Sequence, residues 1–269
     1  MLSENFTFNG ATSNSKQVKI VRFSSSGFLS EPTIGSATLT EIEMPNDYKP
    51  LLQKVTRAPI EFTLELAALD ADNEPVEWTE QKRKQILNWL FTNEYKTLIF
   101  EDRPDIKYYA MAQGGLTLKT MNGRGYVEIT FRTNSPFPYK NVTTVNMPGS
   151  TTVATSTTIT IDDGSAVNKI YPKILLERIG SSATVVRAYI EAQGPADTIG
   201  LQNSLITTVN KVLIDSKYRT ITDGITGVSL YKFKGSTGFN FPYFSIGTNK
   251  IFIPQGWKAT VSYDLPVNY

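Results

Sequence analysis

Between Pro59 and Thr133 the hydrophobic period changes several times, and those changes limit the folds open to the chain. In Pro59-Ile-Glu-Phe-Thr-Leu-Glu-Leu-Ala67, the residues Ile60, Phe62, Leu64 and Leu66 alternate with polar neighbours. That is the two-residue period of a strand with one buried face. Asp70-Ala-Asp-Asn-Glu-Pro75 interrupts it. From Thr79 to Phe91 the spacing becomes helical, with Ile86, Leu87, Leu90 and Phe91 on one stripe. Extended periodicity returns at Lys96-Thr-Leu-Ile-Phe100. It continues in Lys107 to Lys119 and Tyr126 to Thr133, which Met121-Asn-Gly-Arg-Gly125 joins into a long hairpin. The pattern predicts one short helix covering a mostly antiparallel sheet.

The remainder extends the β reading. Phe6-Thr-Phe-Asn-Gly10 reads as a strand entering a turn, and Gln17 to Phe23 as another strand. Thr33 to Met44 is an extended arm, and Pro45, Asp47 and Pro50 make a long irregular connection, which is either an interaction element or an ordinary surface loop. Thr79 is placed to cap the helix and Asn93 to stop it. Trp78 and Trp89 lie off the apolar stripe, which suits packing at the core edge or a subunit contact. Pro136-Phe-Pro-Tyr139 ends a first domain, residues 1–139, because two prolines stop the ladder. In the second domain, residues 140–269, short apolar runs fall at Thr157–Ile161, Lys173–Arg178, Val185–Glu191, Ser204–Val209, Lys211–Asp215, Thr226–Phe233, Lys250–Pro254 and Lys258–Leu265. Gly, Asn, Asp and Pro punctuate them, as in a β-sandwich or jelly roll.

Composition removes several functions. The 269 residues contain no Cys and no His. Disulfides, thiol nucleophiles, Ser-His-Asp triads and His-ligated metals are therefore excluded. A formal charge of +2, with no basic run interleaved with aromatics, does not suit nucleic-acid binding. Neither a signal peptide nor a run long enough to span a membrane is read in the sequence. Motif-like stretches have simpler explanations. Glu101-Asp102-Arg103-Pro104-Asp105 is a solvated turn rather than the carboxylate pair of a hydrolase. Asp70 to Glu74 lacks the glycine and terminal glutamate of a calcium loop. Gly114-Gly115 and Gly123-Arg-Gly125 do not lie between a strand and a helix, as phosphate loops do. No catalytic residue, cofactor or metal ligand is expected. Phe239-Asn-Phe-Pro-Tyr-Phe244 with Trp257 is an aromatic concentration. Packing in the core explains it, and a sugar contact through Tyr243 and Trp257 is the alternative.

Three groups of residues carry a resemblance. They are Phe6-Thr-Phe-Asn-Gly10; Gln85-Ile-Leu-Asn-Trp-Leu90, followed by Leu98-Ile-Phe-Glu-Asp-Arg-Pro104, Tyr108-Tyr-Ala110, Val127-Glu-Ile-Thr-Phe131 and Pro136-Phe-Pro-Tyr139; and Val212-Leu-Ile-Asp215 with Arg219 and Phe244-Ser-Ile-Gly-Thr-Asn249. In this order, over nearly the whole chain, they resemble the distal tail (Dit) proteins of long-tailed, non-contractile bacteriophages of Gram-positive hosts. The long inserted sugar-binding domain of some relatives is missing.

The resemblance implies a mainly β protein at the distal end of the phage tail in the virion. Its N-terminal domain would be β-sandwich-like, with one α-helix and a long β-hairpin, and would form a homo-hexameric ring. Its C-terminal domain would be a galectin-like β-sandwich projecting outward. The ring would join the tail tube protein to the tail-tip hub or baseplate, with a receptor-binding protein as a further partner. DNA would pass as cargo, without a membrane or cofactor. A carbohydrate-binding adhesion module is the alternative. Candidate subunit contacts are the hairpin from Leu116 to Tyr126, with Leu116, Leu118, Met121, Asn122, Arg124 and Tyr126, and the loop from Glu31 to Pro50, with Pro45 and Tyr48. Their motive is the length and extended pattern of both segments, since an open strand edge needs a neighbour to cover it.

Overall fold

The computed structural model describes residues 4–22, 34–43, 49–121, 124–161, 169–180, 186–190, 199–201, 209–231 and 241–267. The chain divides into two compact units, Met1–Lys140 with Val267–Tyr269, and Asn141–Pro266. The architecture is mainly β.

In the first unit the elements are β1 (Phe6–Phe8), β2 (Ala11–Thr12), β3 (Val18–Arg22), β4 (Ala37–Ile42), β5 (Leu51–Arg57), β6 (Glu61–Ala68), α1 (Glu80–Leu90), β7 (Lys96–Phe100), β8 (Ile106–Met121) and β9 (Arg124–Thr133). β10 (Tyr139–Met147) starts here and ends in the second unit. The main sheet runs β3-β6-β9-β8-β7-β1-β2, antiparallel at each pairing. The Ile20 N–H donates to Glu4 O at 2.8 Å, which sets β3 beside the residues preceding β1. The sheet thus curls until its two ends meet. Strands that are not neighbours then pack through the middle: Phe8 meets Phe131 at 5.7 Å and Phe62 meets Phe100 at 6.1 Å between ring centroids. Each such ring, taken out of water, stabilises the unit by about 2 kcal/mol before its ordering entropy is counted. The β1–β2 turn is the Asn9-Gly10 dipeptide with φ of 50° and 78°, both positive, as a two-residue hairpin requires.

Helix α1 begins where Thr79 Oγ1 accepts from the Lys82 N–H at 3.2 Å. Its apolar face differs from the expected stripe. Ile86, Trp89 and Leu90 are buried, whereas Leu87 is 36% exposed. Trp89 takes the inward position because its ring stacks on Phe6 at 5.4 Å and its Nε1–H donates to Phe8 O at 3.1 Å. Trp78 is also buried, donating to Gly125 O at 3.1 Å.

A second departure lies at residues 34–57. The expected extended arm holds β4, which pairs with the unforeseen β5 in a separate two-stranded sheet, while Pro45 and Asp47 of the expected connection lie outside the described residues.

The second unit contains β11 (Thr155–Ile161), β12 (Lys173–Arg178), β13 (Val186–Ile190), β14 (Ile199–Leu201), β15 (Lys211–Asp215), β16 (Thr220–Asp223), β17 (Gly247–Ile253) and β18 (Trp257–Pro266). One sheet has the order β16-β15-β12-β18-β10 and the other β11-β17-β13-β14. Ile174, Leu176, Val212, Ile214 and Val261 from the first, with Ile159, Ile161, Ile251 and Ile253 from the second, are buried. The expected strand at Ser204–Val209 falls almost wholly outside the described residues. Of the expected strand Thr226–Phe233, residues 232 and 233 lie outside the described residues, and residues 226–231 form no continuous strand. Its described part turns back along β16, with Leu230 N–H donating to Ile221 O at 2.8 Å.

Candidate assembly surface

The β8–β9 hairpin is built for reach. β8 is 16 residues long and carries a register irregularity between Gln113 and Thr117, where Gly114 takes φ of 81°. Beyond it the rungs Leu118–Val127, Lys119–Tyr126, Thr120–Gly125 and Met121–Arg124 continue outward. Gly125 has to be glycine, because a Cβ there would lie 2.0 Å from Lys119 O. Lys119 is ion-paired with Glu128, whose carboxylate raises the ammonium's pKa, and its Nζ lies 5.8 Å from the Tyr126 ring centroid. The indole of Trp78, bonded to Gly125 O, ties the outer end to the helix side of the unit.

On this hairpin Leu116, Leu118 and Tyr126 are half-buried. Met121 and Arg124 form its last described rung. Asn122, Pro45 and Tyr48 lie outside the described residues.

The β4–β5 ribbon is the more exposed feature. Every residue in both strands is exposed. Leu39 pairs with Val55 and Ile42 with Leu51 across the ribbon, and Leu39, Leu51 and Leu52 are all more than half exposed. The base is fixed. The Gly35 N–H donates to Pro136 O at 2.8 Å, the Ala58 N–H donates to Ser36 O at 2.9 Å, and a Cβ on Gly35 would fall 1.7 Å from Ala58 O. A two-stranded ribbon is marginal in water, and five aliphatic side chains exposed on one segment are a binding surface or a liability. Leu39 lies in the segment Glu31–Pro50 that the sequence marked as a contact, whereas Leu51, Leu52 and Val55 on β5 were missed by sequence reasoning. The alternation in Leu51-Leu-Gln-Lys-Val-Thr-Arg57 is broken by a bulge, which hid the strand.

The second unit treats its two candidate aromatics differently. Trp257 is fully buried and offers no ring face to a sugar. Tyr243 is half-buried beside the 41% exposed Tyr171, with ring centroids 6.2 Å apart, and Lys169 Nζ lies 4.4 Å over its ring. The acidic turns serve local structure. Asp70 Oδ1 accepts the N–H groups of Asp72 and Glu74, both at 2.9 Å, and Glu101 accepts from Asn5 Nδ2 at 2.7 Å. Among the described residues no group of three Asp or Glu is placed to hold a metal.

A family model described as the phage tail protein N-terminal domain matches residues 1–135. The chain belongs to this family. As a phage tail protein it has its place in the virion tail. Solved structures agree on the fold. SPP1 Dit (gp 19.1), described as a paradigm of the hub adsorption apparatus in phages infecting Gram-positive hosts, superposes with a TM-score of 0.66 at 13% identity, covering 96% of this chain and 97% of that one. A chain of the phage P2 baseplate in its activated conformation with calcium gives a TM-score of 0.59 at 13% identity, with 100% of both chains covered. The corresponding strontium structure gives 0.58 at 12% identity, covering 98% and 99%. No curated protein matches the chain.

The residues that carried the Dit resemblance are the framework of this tail-protein fold. Phe6, Phe8 and Trp89 pack together. Asp215 Oδ1 accepts the Tyr218 N–H at 3.2 Å, just before Arg219 takes φ of 54°. Asn249, almost wholly buried, closes the turn into β17. It accepts from the Ser245 N–H at 2.9 Å and donates to Ser245 O and Gly247 O at 2.7 and 3.0 Å.

Proposed function

We propose that this tail protein is a non-enzymatic ring subunit. Six copies encircle an axis, join the tail tube to the tail-tip hub or baseplate, and leave a lumen through which DNA passes. Residues 1–139 make the ring, and residues 140–269 form a galectin-like sandwich open to a receptor-binding protein. The observation that carries this reading is the β4–β5 ribbon. It pairs only with itself among the described residues, is anchored at its base, and exposes Leu39, Leu51, Leu52 and Val55. A neighbouring copy covers such a surface without chemistry, and a head-to-tail contact repeated to closure gives a ring. The long β8–β9 hairpin supplies a second arm for the same contact through Leu116, Leu118, Met121, Asn122, Arg124 and Tyr126.

The test is ring formation by the full chain, mixed with tail-tube and hub proteins where it is monomeric alone. It is read by light scattering and electron microscopy. Leu39→Ser with Val55→Ser, or deletion of Met121 to Arg124, is expected to leave a folded monomer and abolish rings. Rings that persist in both variants would overturn the assignment. A carbohydrate contact through Tyr243 is the second reading, supported by the exposed Tyr171 beside it. A glycan array with Tyr243→Ala decides it, since glycan binding that the variant loses is required.

A further inference from the structure

Helix α1 carries more apolar surface than its own unit buries. Ile86, Trp89 and Leu90 are taken into the core, but Leu87 is 36% exposed and Phe91, four residues on, is half-buried. Side chains three and four apart lie along one ridge of a helix. Arg83, half-buried, and Lys84, exposed, come one turn before Leu87 on that ridge. From Phe91 back to Lys84 the ridge therefore runs aromatic, aliphatic, basic. One face of the β4–β5 ribbon has a matching order. Residues directly opposite each other share a face, so Ala37 with Arg57, Leu39 with Val55 and Glu41 with Leu52 lie on one side. Leu39, Leu52 and Val55 are 57%, 51% and 44% exposed, and Glu41 is exposed beside Leu52. From Ala37 to Glu41 this face runs small, aliphatic, acidic.

We propose that this face of the ribbon docks on the α1 ridge of a neighbouring copy, with Glu41 against Lys84, Leu39 and Val55 against Leu87, and Ala37 against Phe91. The proposal rests on the reading of the ribbon as a contact between copies, and it names the surface that receives the ribbon. The spacing fits. Alternate residues of a strand recur about every 6.6 Å, and residues four apart on a helix about every 6 Å. The charges fit as well, because the acid at the outer end of the ribbon meets the bases of the helix, which fixes register. The ribbon face and the helix ridge are both exposed within one copy. The ribbon's base is held by the bonds of Gly35 to Pro136 and Ala58 to Ser36, and Arg57 lies over the Phe137 ring. The ridge is thus left to the ribbon of another copy. Two unlike patches that meet in this way make a head-to-tail contact, the kind that repeats until a ring closes.

Charge reversal with rescue tests the pairing in the ring assay, with the unaltered chain as reference. Glu41→Lys, and separately Lys84→Glu, should raise the protein concentration of half-assembly at least about tenfold, because like charges then face each other. The chain carrying both should return to within about threefold of the reference, since each copy again offers opposite charges to its neighbour. Both side chains are exposed, so the melting temperatures should agree. The chain has no Cys of its own, which permits a second measurement. Oxidation of the chain carrying Leu39→Cys and Leu87→Cys should give a ladder of covalent oligomers that neither single substitution gives. Rings in the reference with no rescue, or with no ladder, would overturn the pairing and leave the ring itself standing. No rings from the reference chain would overturn both. Dimers cross-linked by Leu39→Cys alone would place ribbon on ribbon and overturn the pairing.

Discussion

The helix α1 offers a direct test of why its buried face differs from its hydrophobic stripe. Trp89→Phe keeps an aromatic ring over Phe6 but deletes the indole N–H that reaches Phe8 O at 3.1 Å. Losing that buried bond costs about 1–2 kcal/mol. The smaller ring leaves roughly 40 Å³ unfilled, worth about 1 kcal/mol at the cavity coefficient of core deletions. The sum is about 2–3 kcal/mol, which lowers the melting temperature of the first unit by roughly 5–10 °C. Leu87→Ala, one turn away at a position 36% exposed, removes less buried area and improves helix propensity, so it should cost no more than about 1 kcal/mol. Thermal unfolding of the full chain by far-ultraviolet circular dichroism ranks the two. A larger loss for Leu87→Ala would restore the simple stripe and refute the argument that Trp89 is the inward anchor.

Other perturbations test other parts of the framework. Gly35→Ala places a Cβ 1.7 Å from Ala58 O, so it should destabilise the base of the ribbon by about 1–3 kcal/mol and weaken ring formation in the same assay. Asn249→Ala removes the acceptor for Ser245 N–H and both donors into the turn, and should cost about 2–3 kcal/mol in a urea titration of the second unit. Glu177 lies 2.5 Å from Lys211 Nζ and 3.0 Å from Lys258 Nζ, and their hydrogen bonds hold its carboxyl below the ordinary glutamate value. Its contribution is therefore present above the unfolded value of about 4.3 and is lost as pH falls through the lower folded value. Glu177→Gln should melt below the wild type at neutral pH, and the two curves should converge once pH has fallen below the lowered folded value, where both side chains are uncharged.

Much of the fold was legible because it rests on periodicity. The alternation at Ile60, Phe62, Leu64 and Leu66 became β6, with Leu64 and Leu66 fully buried. The Asn9-Gly10 turn and the Thr79 cap are local chemistry, readable from a few adjacent residues. What was hidden depends on contacts made from afar. Trp89 is placed inward by β1, distant in sequence, and no helical wheel contains that information. β5 was hidden by its bulge, which shifts the side-chain alternation partway along the strand. β16 is short and takes its order from β15 and the returning segment at Val228 to Leu230. For the candidate surface the sequence marked the hairpin and the segment Glu31–Pro50, which holds β4, by their length and extended pattern, but not β5. Leucines that face solvent on a ribbon have the same residue pattern as leucines that face a core.

That last difficulty is tied to how the chain uses its polar groups. Asp70, Asp215 and Asp223 each accept backbone N–H groups of their own turns, Ser13 Oγ accepts the Phe6 N–H, and Thr133 Oγ1 accepts the Ile60 N–H. Asp223 is held more acidic than an ordinary aspartate by hydrogen bonds from the Ile225 and Thr226 amides. Glu128 and Glu177 are committed to lysines across the strands. These groups give precise turns and registers, and they leave little free carboxylate chemistry at the positions they occupy. The exposed surface among the described residues that stands out is aliphatic: the leucines of β4 and β5. Such a surface recognises by area and shape, which suits contacts repeated identically between copies. A substitution that changes only exposed aliphatics, such as Leu39→Ser with Val55→Ser, should therefore leave the melting temperature nearly unchanged and still remove assembly. A carboxylate change such as Glu177→Gln should do the reverse.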